Sequence, residues 1–186
     1  MNVPFIEEIL MPDVSADDDA ELAAMSRAVF TPEMLEGVVF PKSAPPWPVE
    51  WPAEKAARVF ILRHKGRIAA SCCFLPRRIQ TGAGPLDVLG LAGVKTLPEF
   101  RMRGYGAAVV RAAFQHVDNG AFAASLFQTR VPGFYEKLGC RRVRNVFTNR
   151  FAEEPGGVPW WDPNHMVYPA AYAWPEGPVD LLGPAW

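Results

Sequence analysis

Two apolar runs, Arg58 to Arg63 and Arg67 to Leu75, flank the turn residues His64-Lys65-Gly66, which predicts a β-hairpin. A further strand is predicted from about Leu86 to Thr96. Beyond a proline and a basic, glycine-bearing turn (Pro98 to Gly106, PEFRMRGYG), Val110, Ala113, Phe114 and Val117 fall at i, i+3, i+4 and i+7. That spacing is one face of a helix, and Asn119-Gly120 ends it. Ala121 to Gln128 reads as a strand, Val131 to Leu138 as a short helix with Pro132 near its start and Gly139 past its end, and Arg141 to Phe151 as a strand. Upstream, Phe5 to Met11 predicts a first strand. Ser15 with Asp18 then makes an S-x-x-D start to a helix that buries Leu22, Met25 and Val29.

Less regular stretches separate or follow these elements. Thr31-Pro32-Glu33 opens a short helix that stops near Gly37, and Pro41 to Pro52 (PKSAPPWPVEWP) reads as a surface loop. Its Trp47 and Trp51 either fold over a site or pin the loop to the body. From Glu153 onward the chain is rich in Pro, Trp and Gly, with one short strand candidate, His165 to Tyr168. Trp160, Trp161 and Trp174 predict that this tail packs rather than hangs loose. The order is β-α, a β-meander, then β-α-β-α-β, an α/β domain over residues 1–152 with a Pro/Trp-rich tail over 153–186 packed on it.

Composition limits what such a domain does. The 186 residues are 49% hydrophobic and 21% charged, enough for a sizeable core. With 19 basic and 20 acidic side chains the net charge is −1, without the basic excess that nucleic-acid binders use to displace counterions. No apolar stretch approaches the ~20 residues of a membrane span, and Met1 to Leu10 lacks the basic start of a secretory leader. A cytoplasmic protein without nucleic-acid or membrane partners is expected, as monomer or homodimer. The three cysteines, Cys72, Cys73 and Cys140, form no CxxC and fit free thiols buried as small hydrophobes.

The strongest local signal for chemistry is Arg101-Met102-Arg103-Gly104-Tyr105-Gly106-Ala107, between a strand and a helix. Glycines there let the backbone turn its N–H groups onto an anion at the helix N-terminus, and Arg101 and Arg103 add charge; a pyrophosphate fits. The turn is neither a P-loop nor a dinucleotide fingerprint. His64, His116 and His165 are isolated, with no metal-ligand spacing, and there is no G-x-S-x-G, so neither a metal nor covalent catalysis is expected. Asp17-Asp18-Asp19 suits the first turn of a helix; an amine-attracting rim is the alternative.

About 30 residues after this turn comes Gly133-Phe134-Tyr135-Glu136-Lys137-Leu138-Gly139-Cys140. With R-x-x-G-x-G at that separation, residues 55 to 150 resemble the GNAT superfamily of acetyl-CoA-dependent N-acetyltransferases. The resemblance implies a mixed, mostly antiparallel sheet flanked by helices and splayed between its fourth and fifth strands. It also implies acetyl-CoA as cosubstrate and a primary amine attacking directly in a ternary complex, without specifying the acceptor; the Trp-rich loop at 41 to 52 and the long tail favour a small molecule over a protein acceptor. Carried over by position, the fourth-strand backbone at Val94, Lys95 and Thr96 takes the pantetheine arm, with Val94 N–H polarising the thioester carbonyl. Arg101, Met102, Arg103, Gly104, Tyr105, Gly106 and Ala107 take the pyrophosphate. Tyr135 takes the role of the acid that protonates the departing thiolate; its alternative is a packing aromatic.

The last residues, Asp180 to Trp186 (DLLGPAW), are similar to the Gly-x-x-Trp end of aminoglycoside 2'-N-acetyltransferases within that superfamily. That likeness implies a carboxylate at Trp186 that binds the amine or relays its proton; the alternative is a tryptophan filling a surface groove. Ala92 stands where those enzymes carry a strand glutamate and Pro184 where they carry an aspartate, so two expected acids are missing and the general base is unassigned. Asp180 either compensates or caps a turn. An aminoglycoside-modifying enzyme and a non-catalytic acetyl-CoA sensor remain the alternatives to a small-amine acetyltransferase.

Overall fold

The computed structural model describes residues 5–30, 51–151 and 160–186. The expected helix at 31–37 and the loop segment at 41–50, with Trp47, lie outside the described residues. Strand β1 (Ile6–Leu10) leads through a 3-10 turn (Met11–Asp13) into α1 (Ala16–Val29), where Ser15 Oγ accepts from Asp18 N at 3.2 Å, the expected N-cap. The hairpin follows as β2 (Arg58–His64) and β3 (Arg67–Thr81), then β4 (Gly84–Thr96), α2 (Tyr105–Asp118), β5 (Ala124–Thr129) and α3 (Pro132–Glu136). Four short strands complete the chain: β6 (Arg141–Val143), β7 (Phe147–Thr148), β8 (Asn164–Tyr168) and β9 (Val179–Asp180). No described helix is long and apolar enough to cross a membrane.

The strands form one sheet in the order β1-β2-β3-β4-β5-β8-β6, antiparallel at each of these pairings except β4-β5, which is parallel. Period-2 alternation sends side chains to two faces. On β2, Phe60 and Leu62 join the core under α2, while Val59 and Ile61 pack with Met25 and Val29 of α1 on the other face. On β5, Phe127 goes to the α2 face and Leu126 to the opposite one, among Trp160, Trp174 and Trp186. The sheet therefore has α2 and α3 on one side, α1 and the tail on the other.

Three elements depart from expectation. Strand β3 continues past Leu75 through Pro76 to Thr81, because β2 ends opposite Phe74 and no ladder bond is asked of Pro76 on that side. Strand β5 starts at Ala124 rather than Ala121, since Ala121 N and Phe122 N both donate to His116 O and close the end of α2. The single strand expected from Arg141 to Phe151 is two: Asn145 Nδ2 donates to the Pro175 and Gly177 carbonyls and its Oδ1 accepts from Trp174 Nε1, drawing the chain off the sheet to pair β7 with β9.

The tail covers one face of the sheet with its tryptophans and also adds a strand to the sheet. Strand β8 pairs with β5 on one side and β6 on the other. Arg77 of β3, 1% exposed, donates to Pro184 O at 2.6 Å and stacks on the Trp186 ring at 4.3 Å. Asp180 accepts from Leu182 N at 3.0 Å and pairs with Arg150, so of its two readings the turn cap is the one observed.

Candidate active site

Strands β4 and β5 pair only at Val88–Ala124, Leu89–Ser125 and Gly90–Leu126. Beyond Gly90 they part, and a cavity of about 640 Å³ opens between Leu91 to Val94 on one wall and Phe127 to Val131 on the other. At the point of separation stands Trp186, whose indole N–H donates to Leu126 O at 2.9 Å. A Cβ on Gly90 would lie 2.7 Å from that indole nitrogen, so only glycine leaves room for the tryptophan there.

Strand β4 carries a bulge at the cavity. Between the pairs Ser71–Lys95 and Cys73–Ala92, β3 has one residue, Cys72, and β4 has two, Gly93 and Val94. Gly93 takes up the change with φ 56, and Val94 packs with the α2-side core although Ala92 packs with the tail side. The bulge thus turns the Val94 peptide within the cavity wall. The Lys95 side chain leaves the cavity altogether, donating to Ser26 Oγ of α1 at 2.6 Å, and its burial lowers the pKa of its ammonium.

At the end of β4 the chain passes the 101–107 turn into α2. Met102 and Gly104 have φ 60 and 80, and Gly104 is an N-cap without a side-chain hydrogen bond, so no side chain occupies the α2 N-terminus. A Cβ on Gly106 would fall 2.9 Å from Thr96 Oγ1 and 3.8 Å from Phe134, which brings the end of β4, the start of α2 and α3 into contact range. Arg101 Nε reaches Thr96 O at 3.4 Å, Arg103 sits 5.8 Å over the Phe100 ring, and Tyr105 OH meets His64 Nδ1 at 2.9 Å.

Helix α3 delivers Tyr135 to the same cavity. The ring is 6% exposed and wedged against Phe127 and Phe134, with centroids 4.6 and 4.8 Å away. Among the described residues no hydrogen bond engages its hydroxyl, and burial, followed by the nearby Cys72, Cys140 and Asp162, pushes the phenol well above its ordinary pKa. The thiols nearby are held protonated in the same way: burial raises Cys72 and Cys73 and takes Cys140 to about 12. Cys72 Sγ is 3.3 Å from Val109 O, a packing position rather than a nucleophile's.

On the opposite face the wall is made by α1 and the tail, through Val29, Phe30, Trp161, Asp162, Ala185 and Trp186. Gln128 ties this wall together. Its Oε1 accepts from Trp161 N and Asp162 N at 3.0 and 2.9 Å, and its Nε2 donates to Trp186 O at 3.1 Å. Gln128→Leu strands these groups and is expected to cost about 2–4 kcal/mol in urea denaturation, against well under 1 kcal/mol for an ordinary surface glutamine.

Val94, Tyr135 and Trp186 therefore line one cavity, and the 101–107 turn follows from the strand that forms its wall. Sequence reasoning missed Gly90, Gln128, Trp161 and Asp162. The lone polar Gln128 beside an apolar run was the one visible signal; the others depend on where the tail lands. Among the described residues no group of three His, Cys, Asp or Glu side chains is placed to hold a metal ion.

The family model for the acetyltransferase (GNAT) domain matches residues 14–143. Solved structures of low sequence identity share the fold. The Escherichia coli GNAT family N-acetyltransferase YhbS, solved in complex with CoA, is 13% identical with a TM-score of 0.58, over 96% of this chain and 89% of that one. Escherichia coli ElaA is 13% identical with a TM-score of 0.56, over 88% and 98%. A GCN5-related N-acetyltransferase from Kribbella flavida is 14% identical with a TM-score of 0.52, over 75% of this chain but 34% of that one, so the chain spans about a third of that relative's length. No curated protein matches the sequence. The matched span runs from the start of α1 through β6 and contains the β4–β5 splay, the bulge and the 101–107 turn, and on that match the chain belongs to the GNAT acetyltransferase domain family.

Proposed function

We propose that the protein transfers the acetyl group of acetyl-CoA to a primary amine of a small molecule, by direct attack of the amine in a ternary complex. The observation that carries this reading is the gap after Gly90, which joins the two faces of the sheet through one cavity with the Tyr135 ring on one side and the tail on the other. The residues present fit the cosubstrate. Beyond Gly90 the backbone of β4 has no ladder partner in β5, an edge on which the amides of a pantetheine arm pair. The uncapped α2 N-terminus, with Arg101 and Arg103 beside it, suits the pyrophosphate.

In this reading the Val94 N–H polarises the thioester carbonyl, and the backbone of Lys95 and Thr96 continues the same edge toward the turn. Met102 to Ala107 hold the pyrophosphate through their N–H groups. The neutral amine nitrogen bonds to the acetyl carbon as the carbon–sulfur bond breaks. The electron pair leaves on sulfur, which takes the Tyr135 proton, the nitrogen's surplus proton departs on the acceptor side to water, and water returns a proton to the Tyr135 oxygen. Trp186, with its main-chain oxygen held by Gln128, helps place the amine.

The pH profile tests the acid. A phenol works only while protonated, and that of Tyr135 is raised above the ordinary 10.0. The rate should therefore climb as the amine loses its proton and show no fall at pH 10, where an ordinary tyrosine would be half ionised. The activity itself is tested by CoA thiol release from acetyl-CoA across polyamines, aminoglycosides, amino acids and arylamines, with the protein's own thiols blanked. Amine-dependent release with an acetylated product is expected; acetyl-CoA binding without release on any amine would make the protein a sensor.

A further inference from the structure

His64 closes β2 at the hairpin, 41 positions before Tyr105, and the fold sets the two side chains together with Nδ1 and the phenol oxygen 2.9 Å apart. Phe100, 8% exposed, packs against both rings, its centroid 5.1 Å from that of the imidazole and 6.4 Å from that of the phenol. The guanidinium groups of Arg67 and Arg103 lie 6.0 and 5.8 Å from the centre of the Phe100 ring, and Leu97 N donates to Ala69 O at 3.1 Å. The turn end of the β2–β3 hairpin is therefore packed along the segment that leads into α2.

The 101–107 turn does little to hold its own shape. Met102 and Gly104 have left-handed backbones, the Met102 side chain is fully exposed, and among the described residues the N–H groups of Met102, Arg103 and Gly104 donate no hydrogen bond. Such groups bind an anion well only in a backbone that something else keeps in place, since ordering the turn at the moment of binding costs affinity. Of residues 101–107, Tyr105 alone makes a side chain–side chain hydrogen bond among the described residues, and its partner is His64. Whichever tautomer the imidazole adopts, one of the two atoms donates and the other accepts, so the bond forms in both.

We propose, resting on the acetyltransferase reading, that His64 is a positioning residue for the cosubstrate. Acting through the Tyr105 phenol, it fixes the first turn of α2 so that the N–H groups of the 102–107 turn meet the pyrophosphate together. The effect falls on the pyrophosphate and spares the pantetheine arm, because the β4 edge is set by its own pairing with β3 at Ser71–Lys95 and Cys73–Ala92.

The test uses three compounds with the same thioester: acetyl-CoA and acetyl-dephospho-CoA, which carry the pyrophosphate, and S-acetylpantetheine, which lacks it. Titration calorimetry gives Kd for the first two, and displacement of acetyl-CoA gives it for the third. His64→Leu should raise Kd about five- to tenfold for both pyrophosphate-bearing thioesters and leave S-acetylpantetheine within about twofold. His64→Asn, whose amide puts a donor and an acceptor at the reach of Nδ1, should stay within about twofold of the parent for all three. Tyr105→Phe keeps the ring on Phe100 and should match His64→Leu for acetyl-CoA, with the double variant about as weak as either single one. Acetyl-CoA affinity indifferent to His64→Leu and Tyr105→Phe overturns the proposal and leaves the acetyltransferase reading standing. So does an equal loss for S-acetylpantetheine, additive losses in the double variant, or His64→Asn as weak as His64→Leu. A parent protein that binds no acetyl-CoA overturns both.

Discussion

Tyr135→Phe is expected to lower kcat by about 10²- to 10³-fold while leaving the affinity for acetyl-CoA within about twofold. The substitution removes one oxygen and keeps the ring that packs against Phe127 and Phe134 at 4.6 and 4.8 Å. Since no hydrogen bond engages the hydroxyl among the described residues, its loss leaves no buried partner unpaired, and stability should change by about 0.5 kcal/mol or less. The two measurements separate the roles. A packing aromatic would keep its rate, whereas an acid loses the proton that a thiolate must receive as it leaves a partly dry cleft. Single-turnover rates decide between them, because slow product release can mask a lost chemical step. A single-turnover rate equal to that of the parent protein would remove Tyr135 from the mechanism.

Gly90→Val is expected to destabilise the fold by about 2–4 kcal/mol and to abolish turnover. A Cβ alone would meet the Trp186 indole nitrogen at 2.7 Å, the Arg77 Cγ at 3.0 Å and the Leu75 carbonyl oxygen at 3.0 Å. The last of these is backbone of the paired strand and cannot swing aside, and Gly90 is itself paired on both sides, with Leu75 and Leu126. The adjustable neighbour is Trp186, so the substitution should push the indole off Leu126 O and with it the tail off the cavity wall. Urea denaturation gives the energy, and near-UV circular dichroism reports the displaced tryptophan. A Gly90→Val protein within about 0.5 kcal/mol of the parent would mean that the tail does not depend on this contact.

The parts of the molecule legible in the sequence are those whose determinants are local. The Ser15 cap, the hairpin around Lys65-Gly66, the apolar stripe of α2 and the glycine turn before it each depend on residues within a few positions of one another, and each is found where the pattern puts it. The β4–β5 splay came by family resemblance, and the pairing that stops at Gly90 agrees with it. The tail was readable as something that packs and as one short strand, His165 to Tyr168, found as Asn164–Tyr168, but not as part of the sheet. Five residues, Asn164–Tyr168, carry no mark of which strands they will join, and β8 enters between β5 and β6 because of backbone pairing and of long-range groups such as Gln128, Arg77 and Asn145. For the same reason the acceptor wall was invisible. Trp161 and Asp162 lie 33 and 34 positions from Gln128, and Trp186 lies 58 away, so no window of sequence holds the contacts that bring them together.

The most direct test of the account is a crystal structure of the protein with acetyl-CoA bound. It should place the pantetheine arm in the gap beyond Gly90 with the thioester carbonyl on Val94 N–H, the pyrophosphate on the first turn of α2, and the sulfur within about 3.5 Å of the Tyr135 hydroxyl. Acetyl-CoA seated outside the β4–β5 gap, or in the gap with its sulfur turned away from Tyr135, would contradict it.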